Sequence, residues 1–78
     1  MNNDNRPQSR KVRALQLALG KPAREIVREY RPKPLTYREM AAEWEARVRA
    51  VFPELGLRFS YTDVYRLFKK YGRPERRP

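Results

Sequence analysis

Proline and glycine divide this chain into four short segments, each of a length suited to one helix. Glycine favours a left-handed stop, and a residue that precedes proline is pushed towards extended backbone, so helices tend to end at both. The breaks lie at residues 20–22, 31–34, 53–56 and 72–74. Between them, apolar residues recur at helical spacing and no convincing strand pattern occurs. The sequence therefore predicts an all-α fold, a compact bundle of about four helices at residues 10–19, 22–30, 36–52 and 60–71.

Capping residues support three of these helix starts. Ser9 is a candidate N-cap for the first helix, because its hydroxyl can accept a hydrogen bond from a free amide of the first turn. Thr36 and Glu39 have the spacing of a capping box. Ser60 is a candidate cap for the last helix, where the charge of Asp63 complements the positive end of the helix dipole.

The apolar residues of each segment share one side of its helix and predict a core. In the last segment they occupy one arc of roughly 120°. Trp44 lies in the middle of the apolar face of the third segment, so we expect its indole to be buried. The predicted core consists of Val12, Leu15, Leu19, Ala23, Ile26, Val27, Tyr30, Tyr37, Met40, Ala41, Trp44, Val48, Val51, Phe52, Leu55, Leu57, Phe59, Tyr61, Val64, Leu67, Phe68 and Tyr71.

Length and charge indicate one small domain with a polyanionic partner. The chain has 78 residues, with 19 Lys and Arg against 9 Asp and Glu, for a net charge of +10. We expect a disordered arm at residues 1–8, one helical domain at 9–72 and a flexible basic tail at 73–78. A charge this high opposes folding by self-repulsion and is typical of a nucleic-acid partner, with an anionic membrane second and an acidic protein third.

Several classes of function are disfavoured by what the sequence lacks. It contains no cysteine and no histidine, which excludes disulfide frameworks, the usual zinc sites and nucleophiles that depend on imidazole or thiolate. No catalytic motif or Gly-rich phosphate loop is present, so we expect no enzyme activity, no metal and no cofactor. The longest uncharged apolar run is residues 14–19, which predicts no membrane span and a cytoplasmic protein.

Opposite its apolar arc, the last segment carries a strip of short polar, aromatic and cationic side chains. The arrangement TYREMAAEW…ELG…SYTDVYRLFKKYG resembles the helix-turn-helix class of DNA-binding domains, especially the homeodomain-like and transposase or regulator types, and the resemblance covers residues 35–71. In that class the second helix enters the major groove and reads base edges. The resemblance implies that Val64 and Phe68 face the core and that the base contacts come from Thr62, Tyr65, Arg66 and Lys69.

The basic residues at both ends of the chain are candidates for phosphate contacts. The predicted basic set is Arg6, Arg10, Lys11, Arg13, Arg58, Lys70, Arg73, Arg76 and Arg77. The helix-turn-helix resemblance implies that Ser60 and Tyr61 also lie near the sugar-phosphate backbone. Cations in the first turn of helix 10–19 oppose the helix dipole, so local stability does not explain them. A solvated basic end and a phosphate-binding arm both stay open for this turn.

The sequence predicts a small non-catalytic regulator or accessory factor of prokaryotic, phage, plasmid or mobile-element origin that binds duplex DNA, and is nucleoid-associated when bound. Structured RNA stays open as a partner, because attraction to phosphate does not separate RNA from DNA. A host protein such as RNA polymerase also stays open, with Tyr61, Tyr65 and Arg66 as anchors. A homodimer is open as well, and so is the upstream helix pair, residues 10–30, as the DNA reader.

Overall fold

The computed structural model describes residues 9–71, which form four α-helices. The helices are α1 Arg10–Leu19, α2 Ala23–Tyr30, α3 Tyr37–Val51 and α4 Tyr61–Tyr71, and a short 3-10 turn, Pro53–Leu55, lies between α3 and α4. The predicted all-α bundle of about four helices is confirmed. The predicted arm at 1–8, the tail at 73–78 and the helix stop at Gly72 lie outside the described residues.

The helix starts and stops follow from local capping chemistry. The Ser9 hydroxyl accepts a hydrogen bond from the Val12 amide at 3.2 Å. In the capping box, the Thr36 hydroxyl accepts from the Glu39 amide at 3.1 Å, and the Glu39 carboxylate accepts from the Thr36 amide at 2.8 Å. Gly20 ends α1 in left-handed backbone, with φ of 69°. These caps are confirmed as predicted from the sequence.

Three predicted helix ranges are too long by one residue, at the start for 22–30 and 60–71 and at both ends for 36–52, because capping residues themselves have non-helical backbone. Pro22, predicted as the first residue of its helix, is instead the N-cap of α2, with φ of −71° and ψ of 159°. Its side chain cannot cap the helix, and the Gln16 side-chain oxygen of α1 accepts the Ala23 amide at 2.7 Å in its place. Similarly, Thr36 and Phe52 flank α3, and Ser60 precedes α4.

The connector between α2 and α3 starts differently from the prediction. Arg31 precedes a proline but keeps helical backbone, with φ of −52° and ψ of −45°, and its amide donates to the Val27 carbonyl at 2.8 Å. The helical hydrogen bond outweighs the preference for extended geometry before proline. The Lys33 amide then donates to the Tyr30 carbonyl at 3.0 Å, and the Leu35 amide to the Lys33 carbonyl at 2.8 Å. The connector is thus a hydrogen-bonded turn.

The core lies where α3 packs against α1 and α4 while α2 covers the same interior. Trp44 is 1% exposed, which confirms its predicted burial. The Tyr30 ring meets the indole edge-on, with ring centroids 5.5 Å apart and an interplanar angle of 89°. The buried residues are Ala14, Leu15, Ala23, Ile26, Val27, Tyr30, Met40, Ala41, Trp44, Val48, Val64 and Leu67.

Four residues that the sequence places in the core are exposed. They are Tyr37, Val51, Leu55 and Tyr61. Val51, Leu55 and Tyr61 lie at the edge of an apolar arc or in a turn, where the neighbouring helices leave them exposed. Tyr37 is covered only in part, by the Phe68 and Tyr65 rings of α4. Leu57 and Phe59, which the sequence also places in the core, are half-buried and pack against it, so their predicted burial is confirmed in part. The Phe59 amide donates to the Glu45 carboxylate at 2.7 Å and so holds this loop against α3.

No helix within residues 9–71 is long and apolar enough to cross a membrane. The same part of the chain brings together no group of acidic side chains that could hold a metal ion.

Candidate nucleic-acid interface

An ion pair between Lys11 and Asp63 links the start of α4 to α1. The Asp63 carboxylate accepts from the Ser60 amide at 2.9 Å and from the Lys11 ammonium at 3.0 Å. Partial burial opposes ionisation of this carboxyl, but the Ser60 amide and the Lys11 charge outweigh burial and hold the pKa of Asp63 below its usual value. The Ser60 hydroxyl donates to the same carboxylate at 3.3 Å, so Ser60 does not cap α4 through its side-chain oxygen as predicted.

We call Thr62, Tyr65, Arg66 and Lys69 the α4 strip. Arg66 and Lys69 are exposed, Tyr65 is 46% exposed and Thr62 is half-buried. The Lys69 ammonium lies 5.6 Å from the centre of the Tyr65 ring. Within residues 9–71, neither Arg66 nor Lys69 forms an ion pair with an acidic side chain. The structure therefore places the predicted base-contact residues on one face of α4, with two cations available to a partner.

One side of the α4 strip opens into a cleft, which we call the aromatic cleft. It has a volume of about 470 Å³ and lies between α4, the start of α3 and the connector that precedes α3. Its lining consists of Arg31, Lys33, Leu35, Tyr37, Met40, Tyr65, Phe68 and Lys69. Tyr65 and Lys69 thus belong to both the strip and the cleft, whereas Thr62 and Arg66 lie outside the cleft.

Three aromatic rings cluster in the cleft. The Tyr37 ring lies 6.4 Å from the Tyr65 ring, with an interplanar angle of 52°, and 5.2 Å from the Phe68 ring, with an angle of 50°. Tyr37 and Tyr65 are both exposed, and Phe68 is half-buried. Tilted pairs at these distances are favourable aromatic contacts, and all three rings belong to residues that line the cleft.

The electrostatic character of the cleft is cationic. Arg31, Lys33 and Lys69 line it, and no acidic side chain of the described residues does so. The Lys33 ammonium lies 4.9 Å from the centre of the Tyr30 ring, on the outer side of the core. Burial, together with a hydrogen bond donated to the Glu43 carboxylate, raises the pKa of Tyr30 to about 12, so this ring stays neutral beneath the ammonium.

The predicted phosphate-contact residues lie in different places. Arg10 and Arg13 are exposed on the first turn of α1, next to the start of α4 through the Lys11 ion pair. Lys11 itself is engaged with Asp63, which makes it a structural link as well as a cation. Other members described by the structure are the exposed Arg58, Ser60, Tyr61 and Lys70. Arg6, Arg73, Arg76 and Arg77 lie outside the described residues.

Arg31, Lys33 and Tyr37 are site residues that sequence reasoning missed. The sequence predicts only a helix break at residues 31–34 and places Tyr37 in the core. Alternation of cations with proline in the connector was a usable signal, since proline stiffens a segment and can hold flanking charges in place. For Tyr37 the signal was weaker, because its position at the edge of the apolar arc of α3 does not say which neighbour covers it.

The upstream helix pair has a mixed-charge face. Arg24, Glu25, Arg28 and Glu29 are all exposed on α2, in agreement with the sequence. The Lys21 ammonium donates to the Glu29 carboxylate and thereby lowers the pKa of that carboxyl. Alternating charges repel a polyanion as well as attract it, so this face is less suited to nucleic acid than the α4 strip.

Comparison of the chain with protein-family models, with curated proteins and with solved structures found no match to any of them.

Proposed function

We propose that this protein is a small non-catalytic DNA-binding factor whose α4 strip lies against duplex DNA. The observation that supports this proposal most directly is the face of α4 that carries Arg66 and Lys69, both exposed and both without an acidic partner within residues 9–71. An unpaired arginine on an exposed helix face can donate two hydrogen bonds to a guanine edge.

The packing of α4 supports the same proposal. Val64 and Leu67 are buried and fix the helix against the core, so the opposite strip is held on a rigid element. The Asp63–Lys11 pair fixes its first turn against α1. A helix anchored on one side and cationic on the other needs little reorganisation when it meets a groove.

Exposed arginines beyond the α4 strip extend the basic surface. Arg10 and Arg13 lie on α1, the helix that is linked to the start of α4. We assign these two residues to the DNA backbone, since phosphate contacts position a protein without reading sequence.

The test compares two arginine variants of equal charge. Arg66→Ala should lose about 1–3 kcal/mol of affinity for a preferred duplex sequence, selected beforehand from a random pool, because it removes a base contact. Arg24→Ala, an equally exposed arginine on α2, should change affinity only slightly and to the same extent for all sequences. Binding is measured by fluorescence anisotropy, and a thermal melt of each variant checks folding.

Equal losses for the two variants would mean that the α4 strip is not the reader. An RNA duplex of the same sequence serves as a second substrate, because tighter binding to RNA would replace DNA by RNA as the partner. Binding to neither nucleic acid would leave a protein partner as the function to pursue.

A further inference from the structure

The aromatic cleft contains features that a helix reading a closed duplex does not need. A duplex hides the faces of its bases in the stack and presents only their edges in the grooves. The cleft instead is lined by two exposed tyrosines, Tyr37 and Tyr65, next to three cations. Exposed aromatic faces beside cationic side chains are the usual means of holding an unstacked base together with its phosphate.

We propose that the aromatic cleft binds one unpaired nucleotide of a DNA strand whose neighbouring duplex lies on the α4 strip. This proposal rests on the proposed function and names the form of DNA that the site recognises. It predicts a preference for DNA with an extrahelical or single-stranded nucleotide over a fully paired duplex.

The size of the cleft fits such a ligand. Its volume of about 470 Å³ lies within the range of about 300–1,000 Å³ that small-molecule sites occupy. Leu35 and Met40 contribute apolar side chains to the lining, which suits the flat apolar face of a base. The Tyr37 ring is tilted by about 50° to both the Tyr65 ring and the Phe68 ring, so the base would stack on one ring and would not intercalate between Tyr37 and either neighbour.

The cations of the cleft are placed for a phosphate. Arg31 and Lys33 belong to the connector, which is held by the hydrogen bond between the Lys33 amide and the Tyr30 carbonyl. Lys33 is further positioned over the Tyr30 ring. Lys69 approaches from α4 on the other side of the cleft. Lys33 and Lys69 each lie over an aromatic ring, one on either side of the cleft, so these two cations lose less conformational freedom when they bind an anion.

The continuity of the cleft with the α4 strip specifies the DNA form. Tyr65 and Lys69 belong to both surfaces, and Arg66 follows Tyr65 on the same helix. A strand that contacts Arg66 therefore passes the mouth of the cleft, and only a nucleotide that has left the stack can enter. Loss of stacking disfavours an undamaged, fully paired base at this step, whereas an already unpaired nucleotide enters freely.

The experiment uses three matched DNA molecules and the full chain. They are a short intact duplex, the same duplex with one extrahelical 2-aminopurine, and the same duplex with an extrahelical abasic site in its place. We expect the 2-aminopurine duplex to bind about tenfold more tightly than the intact one, as a single base–aromatic stack provides. Emission of 2-aminopurine should fall on binding because of stacking on tyrosine, and the abasic molecule should lose most of the advantage.

Variants assign the effect to the cleft. Arg31→Gln combined with Lys33→Gln should abolish most of the preference, and should weaken binding to the intact duplex only as much as the loss of any two surface charges does. The charge-matched control is Arg24→Gln combined with Arg28→Gln, on the exposed face of α2, which should keep the preference. Tyr37→Leu should also abolish the preference, with Tyr61→Leu, another exposed tyrosine, as its control. Thermal melts check folding, and the connector variant tests the cleft even if Tyr37→Leu is unstable.

Two results would overturn the cleft proposal. Equal affinity for intact and 2-aminopurine duplexes, with unchanged emission, would show that no nucleotide enters. Equal affinity for the abasic and 2-aminopurine molecules would show that the protein prefers flexible DNA and does not bind the base. Neither result touches the proposed function, which fails separately if Arg66→Ala binds the intact duplex as well as the parent does.

Discussion

At the scale of single residues, Trp44 combines the largest buried side chain with an unusual polar group. Its indole is 1% exposed, and its N–H has no hydrogen-bond acceptor in the described part of the chain. A buried donor without a partner destabilises the fold by about 1–3 kcal/mol. The packing of the indole against Tyr30 and the rest of the core offsets this loss.

Substitution of Trp44 should separate these two contributions. Trp44→Ala is expected to lower the free energy of unfolding by about 3–5 kcal/mol, because it leaves a cavity that the neighbours cannot fill. Trp44→Phe should lower it much less, since it keeps an aromatic ring and removes the unpaired donor. Urea denaturation followed by circular dichroism measures both. If Trp44→Ala kept the stability of the parent, the indole would lie outside the core. If Trp44→Phe lost as much stability as Trp44→Ala, the indole N–H would have to donate a stabilising hydrogen bond.

At the scale of secondary-structure elements, the Lys11–Asp63 pair joins α1 to α4, which are distant in sequence. Asp63 accepts hydrogen bonds at the positive end of α4, where a negative charge is stabilising. Because the pKa of Asp63 is lower in the folded protein than in the unfolded chain, folding is favoured at pH values where the carboxyl is ionised. The contribution is present above the pKa of the unfolded carboxyl and is lost as the pH falls through the folded pKa.

The pH dependence of stability should therefore depend on this carboxylate. Asp63→Asn is expected to lower the free energy of unfolding by about 1 kcal/mol at neutral pH. The difference from the parent should begin to shrink as the pH falls below about 4, the pKa of the unfolded carboxyl. It should vanish only below the lower, folded pKa of Asp63. Urea denaturation from neutral to acidic pH measures it, with the exposed Glu54→Gln as a control. A difference that persists unchanged in acid would show that the amide's shape, and not the lost charge, is responsible.

At the scale of the whole molecule, most of the positive charge is available to a partner. Among residues 9–71, the basic side chains in ion pairs are Lys11, Lys21, Arg47 and Arg49. The other cations of this range have no acidic partner within it. The excess positive charge, +10 for the whole sequence, therefore stays available to a polyanion. We expect binding of a polyanion to be dominated by the release of its counterions.

Salt dependence measures how many phosphates the protein neutralises. If about six are contacted, log K should fall against log salt with a slope of about −5 for duplex DNA. Arg10→Gln combined with Arg13→Gln should reduce the slope by about two units if both residues contact phosphates. Anisotropy titrations between roughly 50 and 200 mM salt provide the slope. Tight binding that does not respond to salt would contradict a phosphate-driven interaction, and an unchanged slope in the double variant would leave the first turn of α1 merely solvated.

The helices and the centre of the core could be predicted from the sequence, because both depend on local chemistry. Thr36 with Glu39 and Gly20 act on their own backbone, and Trp44 lies in mid-stripe whichever helix covers it. Tertiary structure alone decided what happens at the edges of the apolar arcs. Helical periodicity gives a direction around one axis and says nothing about the neighbour met there, so Tyr61 is exposed despite its apolar position. For the same reason, the aromatic cleft exists only because packing brings the connector and the start of α3 against α4.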